Sequence, residues 1–463
     1  MTVSQIAHAD QHQAFAGASP FLPPANDLVR LKSRRWFLQT GLAGMAGLSL
    51  PALLQQQAQA AANGKPTSKK AVILFWLSGG PSHIDMWDPK PEAPQEIRSP
   101  FGTIGTKLPG VQFTEHLPLQ AAMADKLSIL RGVDCSASNH TPITMQAGNP
   151  LAQRTDNGRD GGGYPSMGSI AARFRGANDP EMPAFLALAP AWAADVYGAG
   201  DLGNKYEPLK GLELAGKFAL PPGLEEARLG SREQLRRQFD RVRQEVDRTS
   251  SMQQFDRFTQ QALDMVLSGK VQQALNLDAE KEATRSQYGG SRVGDKALLA
   301  RRLVEAGVTF VVISGAWGYW DHHGDSVQWG GLEKGLRPIL PEIDRALFAL
   351  VNDLEQRGLL DSTLILMLGE FGRSPVINKD AGRDHWTSAM SMVLAGGNLR
   401  HGQVIGSTDS RGGAVASGMV RPQDLAASVF RHLEIDPATH WVNPQGRPVP
   451  IVAEGGKAIE ELF

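Results

Sequence analysis

The stretch Ala71-Val-Ile-Leu-Phe-Trp-Leu77, followed by Ser78-Gly-Gly-Pro81, indicates the fold most clearly. Its apolar residues do not alternate with polar ones, which is typical of a strand buried on both faces of a parallel sheet. Similar apolar runs occur at 127–130, 185–189, 309–313, 363–368 and 391–394. Helical periodicity separates several of them, most clearly at 296–306 and 342–356. This alternation predicts an α/β fold with a mostly parallel sheet flanked by helices.

Composition excludes several classes of function. The 463 residues contain 47 Lys+Arg and 48 Asp+Glu, so the chain has no basic excess with which to bind nucleic acid. The single cysteine, Cys135, excludes an intramolecular disulfide framework and a cysteine-based metal site. Any catalytic chemistry must therefore come from His, Asp, Glu, Ser and Thr.

The first sixty residues have the pattern of an export signal. Ser33-Arg-Arg-Trp-Phe-Leu38 precedes a Gly- and Ala-rich apolar run that ends at Ala58-Gln-Ala60. This order predicts a twin-arginine signal peptide over 1–60, read by the twin-arginine translocase and then removed. The apolar run is shorter than the ~20 residues of a permanent membrane anchor. We expect a periplasmic or secreted protein, the alternative being an amphipathic surface helix with a chance arginine pair.

The remaining chain, 61–463, is expected to form one large domain with a helical insertion at about 223–277. This segment is rich in Arg, Gln, Glu and Asp, with apolar residues at helical spacing. It predicts two amphipathic helices, which either cover one edge of the core or form an arm that binds a partner.

Ligands of open α/β sheets bind beyond the carboxyl ends of the strands, so the loops after the apolar runs are the candidate site. After the first run, His83 and Asp85 have an i, i+2 spacing that could direct both side chains toward one cation. After the second, His140 precedes Thr141, whose hydroxyl is either a nucleophile at a helix start or a plain helix cap. Acid and imidazole groups of this kind are ligands for divalent metals.

Three further loops carry candidate residues. Asp321 and His323 repeat the i, i+2 spacing after the run at 309–313. Glu370 follows the next run, and Arg373 either clamps an anionic ester or pairs with a surface carboxylate. Asp384 and His385 are neighbours, so they serve different metals, or one supports the other. Two metals would need roughly this number of ligands.

Several segments resemble a known family. They are Trp76-Leu-Ser-Gly-Gly-Pro-Ser-His-Ile-Asp-Met-Trp-Asp-Pro-Lys-Pro91, Trp320-Asp-His-His323, Gly369-Glu-Phe-Gly-Arg-Ser-Pro375 and Gly382-Arg-Asp-His-Trp386. They resemble the DUF1501 family, which is exported, sulfatase-like and part of the alkaline phosphatase superfamily.

The resemblance implies an alkaline-phosphatase-like core that hydrolyses phosphate or sulfate esters with divalent metals. It implies that Asp85 is the first-strand acid, that Thr141 lies near the nucleophile, and that Asp321 and His323 are a ligand pair. It also implies that Glu370 stands where relatives have an Asp-His pair and that His385 is the last histidine ligand. The chain lacks the Cys-x-Pro-x-Arg segment that carries the nucleophile of sulfatases.

From these features we expect an exported hydrolase of phosphate or sulfate esters with one or two divalent ions (Zn, Mn, Ca or Mg). The assigned catalytic residues are His140, Thr141 and Arg373. The assigned metal ligands are His83, Asp85, Asp321, His323, Glu370, Asp384 and His385. The expected partner is an anionic ester, such as a sulfated or phosphorylated glycan. The alternative is a non-catalytic metal-binding protein, associated with glycans or the envelope, on a hydrolase-like scaffold.

Overall fold

All six apolar runs form strands of one sheet. The computed structural model describes residues 68–152, 160–189, 195–210, 265, 268–315 and 318–463. Within them Lys69–Phe463 pack as one unit. In chain order the strands are β1 (Ala71–Trp76), β2 (Thr103–Gly105), β3 (Gln112–Thr114), β4 (Leu127–Val133), β5 (Phe185–Leu188), β6 (Leu209–Lys210), β7 (Phe310–Ser314), β8 (Thr363–Leu368), β9 (Gly372–Arg373), β10 (His385–Trp386), β11 (Met390–Gly396), β12 (Gln403–Ile405), β13 (Ser407–Thr408), β14 (Val415–Ser417), β15 (His440–Val442) and β16 (Pro448–Pro450).

The main sheet of the described residues has eight strands in the order β12-β4-β11-β8-β1-β7-β5-β6. β1 lies in its interior and pairs in parallel with both β7 and β8. Only β11 among these eight strands runs in the opposite direction, because it pairs antiparallel with both β4 and β8. The predicted α/β fold with a mostly parallel sheet is therefore confirmed. The reversal of β11 was not predicted, since its apolar run carries no mark of direction.

Helices cover both faces of this sheet. They are α1 (Pro118–Ala122), α2 (Ile143–Ala147), α3 (Met167–Phe174), α4 (Lys270–Leu275), α5 (Glu282–Gln287), α6 (Arg292–Ala306), α7 (Arg337–Gln356) and α8 (Pro422–His432). Ile73 and Phe75 of β1 face a core built with α6 and α7. Leu74 and Trp76 face the opposite core, built with α3 and α8. The absence of alternation in β1 thus follows from burial on both faces.

Local sequence signals fix the ends of α6. The Ser291 hydroxyl accepts a hydrogen bond from the Gly294 backbone N–H and caps the first turn. The helix ends at Gly307, whose φ of +113° is unfavourable for a residue with a side chain. A Cβ at Gly307 would also lie 2.4 Å from the Cβ of Asp179. The helix therefore ends where the chain must turn into β7.

Two predicted segments fall largely or wholly outside the described residues. The signal peptide over 1–60 lies entirely outside them, and so does most of the helical insertion at about 223–277. Helix α4 belongs to the described end of that second segment. Among the described residues, every helix is too short or too polar to cross a bilayer.

Burial of His432 predicts a pH dependence of stability. Its ring nitrogens face the backbone carbonyls of Ala71 and Gly397, and burial lowers its pKa to about 4. The unfolded chain, with a histidine pKa of about 6.5, takes up this proton first as the pH falls. The contribution of neutral His432 to the free energy of unfolding is therefore fully present above about pH 6.5. It is lost as the pH falls toward 4, by up to about 3 kcal/mol.

Urea unfolding of the metal-free protein at several pH values tests this prediction. The free energy of unfolding of His432→Gln should fall less steeply between pH 6.5 and 4.5 than that of the unchanged protein. Equal slopes for the two proteins would show that His432 is not held neutral by the fold.

Candidate metal centre and active site

The carboxyl edge of the sheet gathers loops that are far apart in the sequence. The loops after β4, β7 and β8 bring His140, Asp321 and Glu370 to this edge, because these strands run in the same direction. His385 arrives by a different route. It belongs to β10, in the segment before β11, and β11 begins at this edge because it runs antiparallel.

Asp321 is the centre of this group of side chains. Its Oδ1 lies 3.0 Å from Nε2 of His385 and 3.1 Å from Nε2 of His323. Its Oδ2 lies 3.3 Å from Nε2 of His140. Nε2 of His323 and Nε2 of His385 are only 2.9 Å apart. We call His140, Asp321, His323 and His385 the acid–imidazole cluster.

Glu370 orients the ring of His140. Its Oε1 lies 2.9 Å from Nδ1 of His140 and also accepts the Gly79 backbone N–H at 2.8 Å. A carboxylate accepts but does not donate, so Nδ1 of His140 carries the proton of this hydrogen bond. Nε2 of His140 is thereby directed toward Asp321. Metal-ligating histidines generally donate their other ring N–H to a carboxylate or carbonyl in this way.

His323 has a similar arrangement. Its Nδ1 lies 3.4 Å from Oδ1 of Asp384, while its Nε2 faces the cluster. Asn378 supports both residues, because its Nδ2 donates to the His323 carbonyl at 2.7 Å and to Asp384 Oδ1 at 3.2 Å. Asp384 therefore supports a histidine of the cluster from the side away from Asp321.

The charges within the cluster perturb its titrations. Burial lowers the pKa of His140, but hydrogen bonds and charges of Asp321 and Glu370 outweigh burial and raise this pKa to about 9. Burial raises the pKa of Asp321, but hydrogen bonds from His140 and His385 and the charge of Arg373 hold it well below its usual range. Burial lowers the pKa of His385. The cluster thus keeps a carboxylate ionised among imidazoles.

Arg373 holds the loops together beneath the cluster. Its side chain is 1 % exposed, and Nη2 donates to Asp321 Oδ1 at 2.5 Å. The same guanidinium donates to the carbonyls of Gly80 at 2.9 Å and Arg383 at 3.0 Å. The sequence predicts that Arg373 contacts either an anionic ester or a surface carboxylate. The structure places it in protein contacts, where it positions Asp321.

The loop after β1 needs glycine at position 79. Gly79 has a φ of +115°, and a Cβ there would lie 2.5 Å from the backbone nitrogen of Asp321. The backbone of this loop can therefore lie against the Asp321 loop while its N–H reaches Glu370.

His83 and Asp85 lie outside the acid–imidazole cluster. Both carboxylate oxygens of Asp85 accept hydrogen bonds from Arg383, at 2.7 and 3.1 Å, in an ion pair with both side chains fully buried. Burial raises the pKa of Asp85, but the charge and hydrogen bonds of Arg383 outweigh burial and lower it. His83 is also buried, and its Nε2 lies 2.8 Å from the Gly412 carbonyl. These two predicted ligands instead fix neighbouring loops.

Thr141 follows His140 but is engaged elsewhere. Its hydroxyl donates to Asn139 Oδ1 at 2.5 Å. The adjoining helix α2 begins at Ile143 with Pro142 as its N-cap, so the Thr141 hydroxyl does not cap it.

Three residues that contact the candidate site or its loops are not indicated by the sequence. Phe371 packs between histidines, with its ring centroid 4.5 Å from that of His385 and 5.5 Å from that of His140. Asn378 was not singled out, and a lone asparagine in a loop gives no signal of a role. Arg383 belongs to the segment Gly382–Trp386, but the sequence does not indicate that its guanidinium pairs with Asp85.

The donor set fits a divalent cation. One donor atom from each of His140, Asp321 and His385 can be chosen so that all three lie within 4.8 Å of one another. Two imidazoles and one carboxylate form a set that suits Zn²⁺ and also Mn²⁺. The convergence of two Nε2 atoms at 2.9 Å is also unfavourable for neutral imidazoles unless one donates to the other or both face a cation.

Glu370→Gln is expected to weaken cation binding about 10- to 100-fold, because the carboxylate that orients His140 is lost. Titration calorimetry with Zn²⁺ and Mn²⁺ measures the change. Glu454→Gln is the matched control, since Glu454 is exposed and lies outside the cluster. Unchanged affinity in Glu370→Gln would show that Glu370 does not support the ligand set.

The chain was compared with curated proteins, solved structures and family models. The search of curated proteins found no match. Among solved structures, the chain is similar to the sulfatase PsFucS1 from Pseudoalteromonas sp., with 12% identity and a TM-score of 0.35, covering 83% of this chain and 71% of that one. It is also similar to the lipoteichoic acid synthase LtaP from Listeria monocytogenes, with 9% identity, a TM-score of 0.35 and coverage of 86% and 76%.

A third similar structure is the phosphonate monoester hydrolase SpPMH from Silicibacter pomeroyi, with 11% identity, a TM-score of 0.35 and coverage of 84% and 75%. The family model described as "Protein of unknown function (DUF1501)" matches residues 69–463. This match spans the whole chain beyond the first 68 residues, so the protein belongs to the DUF1501 family.

Proposed function

We propose that the protein is an exported, metal-dependent hydrolase of phosphate or sulfate esters. The observation that carries the proposal is the convergence of His140, Asp321 and His385 from three separate loops, with His323 in contact. The partly buried carboxylate of Asp321 lies among three imidazoles at the strand-end edge, and such a concentration of perturbed acid and imidazole groups is typical of a site that binds a cation. The twin-arginine signal predicted over 1–60 from the sequence supports the proposed periplasmic or secreted location.

Different residues of the chain would bind the cation and orient its ligands. His140, Asp321 and His385 would hold a divalent cation, with His323 beside them. Bound there, the cation would lower the pKa of an attacking water and stabilise negative charge on the transferred group. Glu370 holds Nδ1 of His140 by a hydrogen bond, so that Nε2 faces Asp321 and would bind the cation in place of a proton.

Arg373 and Phe371 complete the site around these ligands. Arg373 holds Asp321 in place through an ion pair and, after the hydrogen bonds from His140 and His385, helps to keep its pKa low. The ring of Phe371 lies against His140 and His385 and fixes their planes. Because these groups are already oriented, they need not reorganise when the reaction occurs. Preorganisation of this kind is the main source of electrostatic catalysis.

Turnover of aryl phosphate and aryl sulfate by purified protein tests the proposal. We expect hydrolysis of at least one ester with Zn²⁺, Mn²⁺, Mg²⁺ or Ca²⁺, and its loss after a chelator with recovery on adding the metal back. Full activity in chelator, with no bound metal by elemental analysis, would contradict the proposal. No turnover in metal-loaded protein would favour the non-catalytic metal-binding alternative.

The attacking group is proposed to be water, because the Thr141 hydroxyl donates to Asn139. In the same assay Thr141→Ala should therefore retain turnover within about tenfold of the unchanged protein. Loss of turnover by several orders of magnitude, with metal content unchanged, would make Thr141 the nucleophile instead.

A further inference from the structure

We propose that a cleft beside the acid–imidazole cluster binds a saccharide ring bearing an anionic substituent. In this assignment the indole of Trp386 stacks on the ring and the guanidinium of Arg411 contacts the anionic group. The inference rests on the proposed function, since it names the class of substrate that the hydrolytic site would take. We call this space the Trp386 cleft; Val376, Asn378, Asp384, Trp386, Asp409 and Arg411 are among its lining residues.

The Trp386 cleft adjoins the candidate metal centre through two residues. It has a volume of about 420 Å³, which is enough for one or two sugar rings. Asp384 lines the cleft while its Oδ1 lies 3.4 Å from Nδ1 of His323. Trp386 directly follows His385. A ligand in the cleft would therefore have one end beside the cluster.

Strand β10 presents its two residues to different surroundings. It pairs antiparallel with β9, and successive side chains of a strand point to opposite faces. His385 enters the acid–imidazole cluster, and Trp386 lines the cleft. The indole Nε1 donates to the Gly413 carbonyl at 2.6 Å, which fixes one edge of the ring. The residue nevertheless remains 37% exposed.

An exposed, edge-anchored indole is a rigid apolar plane. It complements the C–H face of a pyranose, whose hydroxyl groups point outward around the ring. The carboxylate of Asp384 at the same cleft can accept hydrogen bonds from those hydroxyls, while the amide of Asn378 is already bonded within the protein. Ligand sites typically combine an apolar surface with a few placed polar groups in this way.

Arg411 supplies positive charge to the cleft. Its residue is exposed, and within the described part of the chain its guanidinium has no hydrogen bond or ion pair. One oxygen of each neighbouring carboxylate, Asp409 and Asp384, is already engaged within the protein. Asp409 Oδ1 accepts the backbone N–H groups of Arg411 and Gly413, and Asp384 Oδ1 contacts His323 and Asn378.

The loop that carries Arg411 is held from beneath. The carbonyl oxygen of Gly412 lies 2.8 Å from the buried Nε2 of His83. The hydrogen bond from the Gly413 N–H to Asp409 Oδ1 closes the turn. Arg411 therefore extends from a fixed backbone, and a guanidinium in this position favours a sulfate or phosphate group. This arrangement also gives His83 a positioning role in the cleft.

Binding of defined oligosaccharides by titration calorimetry tests the assignment. The probes are a sulfated ι-carrageenan hexasaccharide, a phosphorylated mannan hexasaccharide and a neutral agarose hexasaccharide. The variants are Arg411→Ala, Trp386→Ala and Trp386→Phe. Arg447→Ala is the matched control, because Arg447 is exposed in the turn between β15 and β16. Thermal unfolding and Zn²⁺ titration of each variant check that the fold and the metal centre are intact.

We expect the unchanged protein to bind at least one anionic hexasaccharide at least tenfold more tightly than the neutral one. Preference between sulfated and phosphorylated probes identifies the ester. Arg411→Ala should remove most of this preference, Trp386→Ala should weaken binding of all probes at least tenfold, and Trp386→Phe should restore part of it.

Equal binding of anionic and neutral probes, or binding insensitive to Trp386→Ala and Arg411→Ala in folded protein, would overturn the saccharide assignment. Binding of Zn²⁺ and turnover of aryl esters with no saccharide binding would overturn this inference alone. Saccharide binding without metal binding or turnover would retain the cleft and reject the proposed hydrolase.

Discussion

Asp321→Ala is expected to lower kcat/KM for the aryl ester by about 10³-fold or more and to abolish tight binding of the divalent cation. Asp321 contacts Arg373 through Oδ1, and both of its oxygens contact imidazoles of the cluster. Its removal takes away one ligand and leaves the nearby cationic groups without their shared counter-charge. Steady-state kinetics and Zn²⁺ titration measure the two effects.

Asp321→Asn separates these effects, since it keeps the volume of the side chain and an acceptor for Arg373. It should also be inactive, because an amide is a poor ligand and carries no charge. Asp361→Asn is the control, since Asp361 is an exposed acid away from the site. Activity of Asp321→Asn within tenfold of the unchanged protein would remove Asp321 from the catalytic machinery.

Asp85→Ala is expected to lower the free energy of unfolding by about 3–5 kcal/mol, because it leaves the buried charge of Arg383 uncompensated. Arg383 also donates to the backbone carbonyl of Ile97 at 2.9 Å and to that of Pro375. Loss of its counter-charge would therefore loosen several loops near the candidate site. Urea unfolding at neutral pH measures the change.

The double variant Asp85→Ala/Arg383→Met is the control for this prediction. Removing both charges should recover a large part of the lost stability, since the unpaired buried charge is the main cost. A single variant Asp85→Ala that loses less than about 1 kcal/mol would show that the pair contributes little. A retained ability to bind Zn²⁺ in a folded Asp85→Ala protein would agree with a structural role for Asp85.

The strands could be predicted because burial leaves a direct mark on sequence. β1, β7 and β8 have both faces covered, so each appears as an uninterrupted apolar run. The order of the strands could not be predicted in this way. Nor could the reversal of β11, because its burial pattern is the same in either direction.

The sequence indicates most residues of the candidate site, but only some of the residues that they contact. Acid and imidazole residues after strands indicated His140, Asp321 and His385, which the structure brings together. The i, i+2 spacing also indicated Asp85, and the same chemistry made it a plausible ligand. Its actual partner, Arg383, lies 298 residues further along the chain, and only the folded sheet places the two together.

A similar limit applies to Arg373. Its position between two loops depends on how closely their backbones approach, and residue type alone does not encode that distance. Gly79 gives the one local indication, since a glycine three residues after the end of β1 allows the close contact with the Asp321 loop. The sequence motif therefore indicated that the loop matters, while its contacts had to be read from the structure.

The proposed metal centre can be tested by anomalous X-ray scattering from crystals of the protein grown with Zn²⁺ or Mn²⁺. We expect a strong metal peak within bonding distance of His140, Asp321 and His385, about 2.0–2.2 Å from the ligand atoms for Zn²⁺. Absence of a peak at these residues under saturating metal, or a peak only at another place on the molecule, would contradict the proposed metal centre.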